Sequence, residues 1–169
     1  PRYLQWQTIA EYVIVVAIIL ESIFLAFYAP AFLSVPNLIN IALSIAITGI
    51  LAVGMTAVIL TGGIDLSVGS VAALAGIVAA MVAASSAPGA VALAALAALG
   101  VGLAVGVFNG VMVARFRVPP FVVTLAMLTI CRGLAFVITE GRSISDLPPG
   151  FGLFGRELFL RVPVPVWLM

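Results

Sequence analysis

Lysine and histidine are both missing from this 169-residue chain, whose seven basic residues are all arginine. Without lysine there is no Gly-x-x-x-x-Gly-Lys-Ser/Thr loop, so the chain lacks that device for cradling nucleotide phosphates. Without histidine it lacks the commonest metal ligand and general base. No metal cluster, Ser-His-Asp set or pair of aspartates within the apolar runs stands in for them, so the residues support neither catalytic nor metal assignments. The one cysteine, Cys131, excludes an intrachain disulfide, and its apolar setting marks it as a small packed residue. Charge is scarce as well: charged residues make up 8% of the chain, against about 25% in soluble domains. Thirteen charges cannot build a water-facing surface, and a net charge of +1 gives no basis for a nucleic-acid partner.

What is present is apolar. Hydrophobic residues make up 64% of the sequence, and the mean hydropathy is +1.36. The apolar stretches are continuous and not alternating, which excludes a barrel wall. Their length is about 20 residues, enough to cross a bilayer as helix. The expected fold is therefore an all-α, multi-pass helical membrane protein.

Five runs can be read along the chain: about Tyr12 to Tyr28, Ile39 to Thr61, Leu66 to Ala84, Ala90 to Ala114 and Phe121 to Thr139. A sixth begins near Val164. Ala29-Pro30 through Pro36-Asn37 reads as an interfacial linker, because proline discourages helix before it. Glu140 to Pro163 is a longer polar connection. The expectation is five complete crossings plus the start of a sixth, with residues 1–169 forming the N-terminal portion of a longer transmembrane domain. The tight pair Arg115 and Arg117 favours the cytoplasm. That would place the N-terminus on the same side and the Glu140–Pro163 connection outside.

Three features interrupt the apolar pattern. Thr61 to Ser70 sets Gly62, Gly63, Asp65 and Ser67 between two runs. Asp65 and Ser67 can each cap the next helix, where a carboxylate also meets the positive end of the helix dipole. Equally, glycine-flanked unwound backbone survives at membrane depth where it is buried or lines a cavity, which would make this a break in a pathway or gate. In the fourth run, Gly102, Gly106 and Gly110 recur every four residues, the spacing that lets another helix approach closely, with Asn109 beside them. Asn109 could bond across such a contact or face a translocation path. Arg132 lies within the fifth run, where burial in lipid costs roughly 2.5–3.5 kcal/mol at a helix centre. It must face water, protein or an acid such as Glu21, or snorkel to an interface. Gly62, Gly63, Asp65, Ser67, Asn109 and Arg132 are thus the pathway or gating candidates, and Gly102, Gly106 and Gly110 the helix-packing candidates.

The stretch Ala52-Val53-Gly54-Met55-Thr56-Ala57-Val58-Ile59-Leu60-Thr61-Gly62-Gly63-Ile64-Asp65-Leu66-Ser67-Val68-Gly69-Ser70 closely resembles the signature of sugar ABC-transporter permeases of the ribose/xylose/galactoside type. Phe32 to Ile41, Gly106 to Gly110, Phe121 to Met127, Arg132-Gly133 and Pro163 to Trp167 fall in the same order, so the resemblance covers nearly everything from about residue 30. It implies a bacterial inner-membrane subunit of an importer. A second permease subunit, in a homodimer, would complete the pathway. A periplasmic sugar-binding protein would deliver the sugar, and a separate cytoplasmic ATP-binding subunit would use ATP, leaving no cofactor in this chain. It also implies a permease domain of about ten crossings, with the ATPase-docking segment beyond Met169. Two other classes remain open. An ion- or proton-coupled secondary transporter could use Glu21, Asp65 and Arg132, and a membrane anchor without transport would tolerate changes at Asp65 and Asn109.

Overall fold

The computed structural model describes residues 2–85, 89–145, 147–152, 158–159, 162–163 and 165–166. Five α-helices follow one another: α1 (Arg2–Tyr28), α2 (Val35–Leu60), α3 (Val68–Ala84), α4 (Ala90–Ala114) and α5 (Pro120–Thr139). After α5 come a short 3₁₀ turn, Pro149–Gly152, and two paired two-residue strands, β1 (Leu158–Phe159) and β2 (Val162–Pro163). The expected sixth run lies outside the described residues except for Pro165 and Val166.

Three helices, α2, α4 and α5, are long and apolar enough to cross a membrane, with hydropathies of 2.3, 2.5 and 2.2. Tyr12–Tyr28 of α1 and Val68–Ala84 of α3 are shorter apolar helices. Length and composition therefore support three of the five expected crossings. The chain is a multi-pass helical membrane protein on this evidence. Its helical hydroxyls fit that setting. Thr56 Oγ1 donates to Ala52 O at 2.8 Å, Thr129 Oγ1 to Ala126 O at 2.7 Å and Thr139 Oγ1 to Ala135 O at 2.9 Å. Each hydroxyl is satisfied within its own helix, as an environment without water requires.

The chain divides into two compact units, residues 1–45 and 46–169. In the first, α1 ends in a chain of turns. Ala29 N–H donates to Leu25 O and Phe32 N–H to Ala29 O, at 2.8 and 2.9 Å. Asn37 Nδ2 donates to Phe32 O at 2.8 Å and fixes the entry to α2. The stretch Val35-Pro36-Asn37, expected to be linker, already belongs to α2. Proline is tolerated there because a helix's first turn leaves its N–H groups unpaired anyway.

In the second unit α3 packs against α4 and α5. Leu74, Met127, Cys131 and Ala135 form one buried cluster, with Val71, Val101 and Val105 against it. Ala79, Ala83 and Ala94 form a second, closed over by Leu147 and Phe151. The buried positions are mostly alanine, and small side chains let helices approach where no water drives them together. Cys131 is the packed, free thiol that its apolar run suggested. Helix α5 stops in a Schellman arrangement, in which Gly141 N–H donates to Phe136 O and Glu140 N–H to Val137 O. Glu140 takes the left-handed conformation at φ 51°.

Candidate functional site

The site begins where α2 ends. Gly63 N–H donates to Val58 O at 3.2 Å and Gly62 N–H to Ile59 O at 2.9 Å, again the Schellman pattern. Gly62 sits at φ +79°, a conformation that glycine adopts without penalty. At Gly63 a Cβ would lie 3.4 Å from Val58 Cγ1 and 3.6 Å from Pro120 Cβ, ordinary van der Waals separations that leave room for it. Gly62 is thus the glycine that the turn requires, and Gly63 packs against Val58 and the start of α5 at ordinary distances. Gly62→Ala should lower stability by about 1–2 kcal/mol, the usual penalty of left-handed backbone, while Gly62→Asn should be milder. Thermal unfolding in detergent reads the difference, and equal unfolding of wild type and Gly62→Ala would contradict this role.

The next turn is built on Asp65. Its Oδ1 accepts the Ser67 backbone N–H at 2.7 Å and the Ser67 hydroxyl at 2.6 Å. The sequence allows Asp65 and Ser67 each to cap α3, but neither does so through its side chain; Ser67 occupies the N-cap position without a side-chain cap bond. The physical reason is competition. The short Asp side chain closes a local turn on the residue two ahead, and the Ser hydroxyl is drawn to that carboxylate in preference to the backbone. Ser67 O instead starts the helix, accepting Val71 N–H at 2.9 Å and Ser70 Oγ at 2.8 Å.

From Ser67 the network crosses to α4. Asn109 Nδ2 donates to Ser67 Oγ at 3.2 Å. The polarity of this chain follows from Asp65. A carboxylate only accepts, so the Ser67 proton points to Asp65 and the Ser67 lone pairs are left to accept from Asn109. That fixes which way the Asn109 amide faces, and leaves its Oδ1 buried without a hydrogen-bond partner among the described residues. Ser67 is 1% exposed and Asn109 7%, so this unmatched acceptor carries a real desolvation cost.

Beside the network lies a cavity of about 250 Å³. Asp65, Ser67 and Asn109 supply its polar wall, and Gly102 and Gly106 part of the apolar one. No heavy atom lies within 4 Å of a Cβ placed at Gly102, Gly106 or Gly110. The close helix contact expected at these glycines is therefore not made among the described residues, and two of the three open onto the cavity instead.

The structure joins Gly62, Gly63, Asp65, Ser67 and Asn109 into one region but leaves Arg132 out of it. Thr124 of α5 approaches Ile64 O at 3.2 Å. Arg132 lies two turns further on, about 12 Å along the helix axis, and lines a different groove. Thr124 and Pro120 also belong to this region. Thr124 is 4% exposed, and its hydroxyl is shared between Pro120 O at 2.8 Å and Ile64 O at 3.2 Å. A lone hydroxyl in the first turns of an apolar helix, just after Pro119-Pro120, was the available signal.

The comparisons bear on the whole region. The family described as the branched-chain amino acid transport system permease component matches residues 37–164. The ribose import permease protein of Escherichia coli (strain K12) is 41% identical over 175 residues, covering 99% of this chain and 53% of that protein. The galactofuranose transporter permease protein of the same strain is 38% identical over 130 residues, covering 77% and 37%. The L-arabinose ABC transporter permease protein of Azospirillum brasilense is 35% identical over 162 residues, covering 96% and 47%. The chain spans about half the length, or less, of these curated relatives. No solved structure matches it. On the family match across most of its length, and on its similarity to sugar-importer permeases, the chain belongs to the permease-component family described for the branched-chain amino acid transport system.

Proposed function

We propose that this chain is the N-terminal portion of the membrane-spanning permease of an ATP-driven monosaccharide importer in a bacterial inner membrane. The observation that carries the reading is the 41% identity to a ribose import permease across nearly the whole chain. In this reading all five helices cross the bilayer, two permease subunits enclose the pathway, and a periplasmic binding protein delivers the sugar. ATP acts in a separate subunit, whose closure biases inward- against outward-open states. The Asp65–Ser67–Asn109 network holds the bend between α2 and α3 in shape and presents polar groups to the cavity. Gly62, Gly63, Asp65, Ser67 and Asn109 are then pathway or gating residues.

The family's description names branched-chain amino acids, whereas the relatives are sugar permeases. The 35–41% identities to the latter favour sugar. The test is substrate competition in vesicles carrying the complete importer. Ribose, arabinose or galactofuranose should compete with labelled sugar uptake, and leucine should not. Uptake of leucine in preference to every sugar would overturn the substrate assignment.

Topology offers a separate check. Single cysteines in a Cys131→Ala background should react with an impermeant reagent from outside at Ser145 and from inside near Arg115, following the Arg115 and Arg117 pair. Labelling of the position near Arg115 from outside would contradict the orientation.

A further inference from the structure

The turn that carries Asp65 is held from two sides, and the pathway reading uses only one of them. On the α4 side, Asn109 Nδ2 donates to Ser67 Oγ. On the α5 side the contact is to backbone: Thr124 Oγ1 donates to Ile64 O at 3.2 Å. Ile64 precedes Asp65, outside any helix, and no backbone N–H donates to its carbonyl among the described residues. A carbonyl in that position takes a side-chain donor or water. Thr124 is well set to be the donor. Its branched side chain has few rotamers in a helix, and the 2.8 Å bond from Oγ1 to Pro120 O holds one of them. One proton is then shared between the Pro120 and Ile64 carbonyls, a three-centre arrangement. Pro120 lies one turn before Thr124 on the same face of α5 and packs beside Gly63. Thr124 is 4% exposed and Ser67 1%, so this chain itself closes over both ties.

We propose that Thr124 is a positioning residue for the pathway: it ties the Asp65 turn to α5, as Asn109 ties it to α4. The Asp65 carboxylate then keeps its place only while both helices hold the turn. Each tie is 3.2 Å long, at the long end for such bonds. A small shift of α5 against α4 must therefore break one tie or carry the turn with it. Sliding of packed helices is among the movements by which proteins switch between states. The tie from Thr124 is independent of what the protein transports, and its consequence for transport rests on the pathway reading.

The test is hydrogen–deuterium exchange of the full-length permease in detergent, read by mass spectrometry over residues 62–67. Sugar uptake by the complete importer is measured in parallel. Thr124→Val keeps the shape of the side chain and removes the donor, whereas Thr124→Ser keeps the donor. Residues 62–67 should exchange about three- to tenfold faster in Thr124→Val, the effect of losing one hydrogen bond. Helices α3 and α4 should exchange as in wild type. Uptake should fall in the same variant, and Thr124→Ser should keep both readouts close to wild type. Wild-type exchange over residues 62–67 in Thr124→Val would overturn the proposal and leave the Thr124 hydroxyl to Pro120 O alone. Faster exchange throughout α3, α4 and α5 would make Thr124 a general packing residue, and would also overturn it. Faster local exchange with unchanged uptake would keep the tie and overturn the pathway reading instead.

Discussion

Asp65→Ala should lower sugar uptake by at least about tenfold while membrane expression stays close to normal. The carboxylate accepts two hydrogen bonds from Ser67, at 2.7 Å from the backbone N–H and 2.6 Å from the hydroxyl. Hydrogen bonds to charged groups are worth about 1.5–3 kcal/mol each. Their loss frees the Ser67 proton to turn elsewhere, so the link from Ser67 to Asn109 loses its defined polarity. Most of the three-helix core lies along α3, α4 and α5, away from this turn, which is why folding should survive. Asp65→Asn separates shape from charge. Its side-chain oxygen can still accept from Ser67, so it should keep more of the uptake than Ala if the turn's geometry is what matters. Equal, wild-type uptake in both variants, measured in vesicles at matched protein levels, would show that the break has no functional part.

Asn109→Leu should separate stability from transport in the opposite sense. The amide contributes one 3.2 Å bond to Ser67 and leaves Oδ1 buried and unmatched. Leucine has the same branched skeleton of side-chain heavy atoms, is bulkier by its methyl hydrogens with the cavity alongside to take them, and carries no unmatched acceptor. Ser67 keeps its own proton on Asp65, so the substitution strands no donor. Removing the buried, unmatched Oδ1 offsets the loss of one long hydrogen bond to Ser67 Oγ, which still donates to Asp65. Thermal unfolding should therefore move by no more than about 1 kcal/mol in either direction. Uptake should nevertheless fall about tenfold or more, because the cavity loses one of its three polar side chains. In the proposed pathway reading, the cost of this broken local rule is offset by function. A variant that is both destabilised and inactive would make Asn109 a packing residue, and one that is fully active would remove it from the pathway.

The helices were legible to different degrees, for reasons that particular residues show. Helix α4 spans Ala90–Ala114, the same bounds as its apolar run, because Gly89 and Arg115 bracket it on either side. Helix α1 begins at Arg2, well before the apolar run at Tyr12, since hydropathy marks where lipid contact would start and not where helical hydrogen bonding starts. Around the break, the glycines, Asp65, Ser67 and Asn109 all stand out in sequence as polar or small residues in apolar surroundings. Their partners do not. The bond from Asn109 to Ser67 spans 42 positions and the approach of Thr124 to Ile64 spans 60. Such pairings are set by how α3, α4 and α5 pack and leave no local pattern. The same limit explains the glycines of α4, whose spacing invites a close helix but whose positions open onto space within this chain.

The central claim is that this permease moves sugar with energy supplied by another subunit. The measurement that tests it most directly is sugar uptake by full-length permease in proteoliposomes, with and without its ATP-binding subunit and its sugar-binding protein, under ATP and under imposed proton or sodium gradients. The expected result is uptake only when the ATP-binding subunit and ATP are both present, stimulated by loaded binding protein, abolished by vanadate and indifferent to the gradients. Uptake by the permease alone, driven by a proton or sodium gradient, would contradict the account and make the protein a secondary transporter.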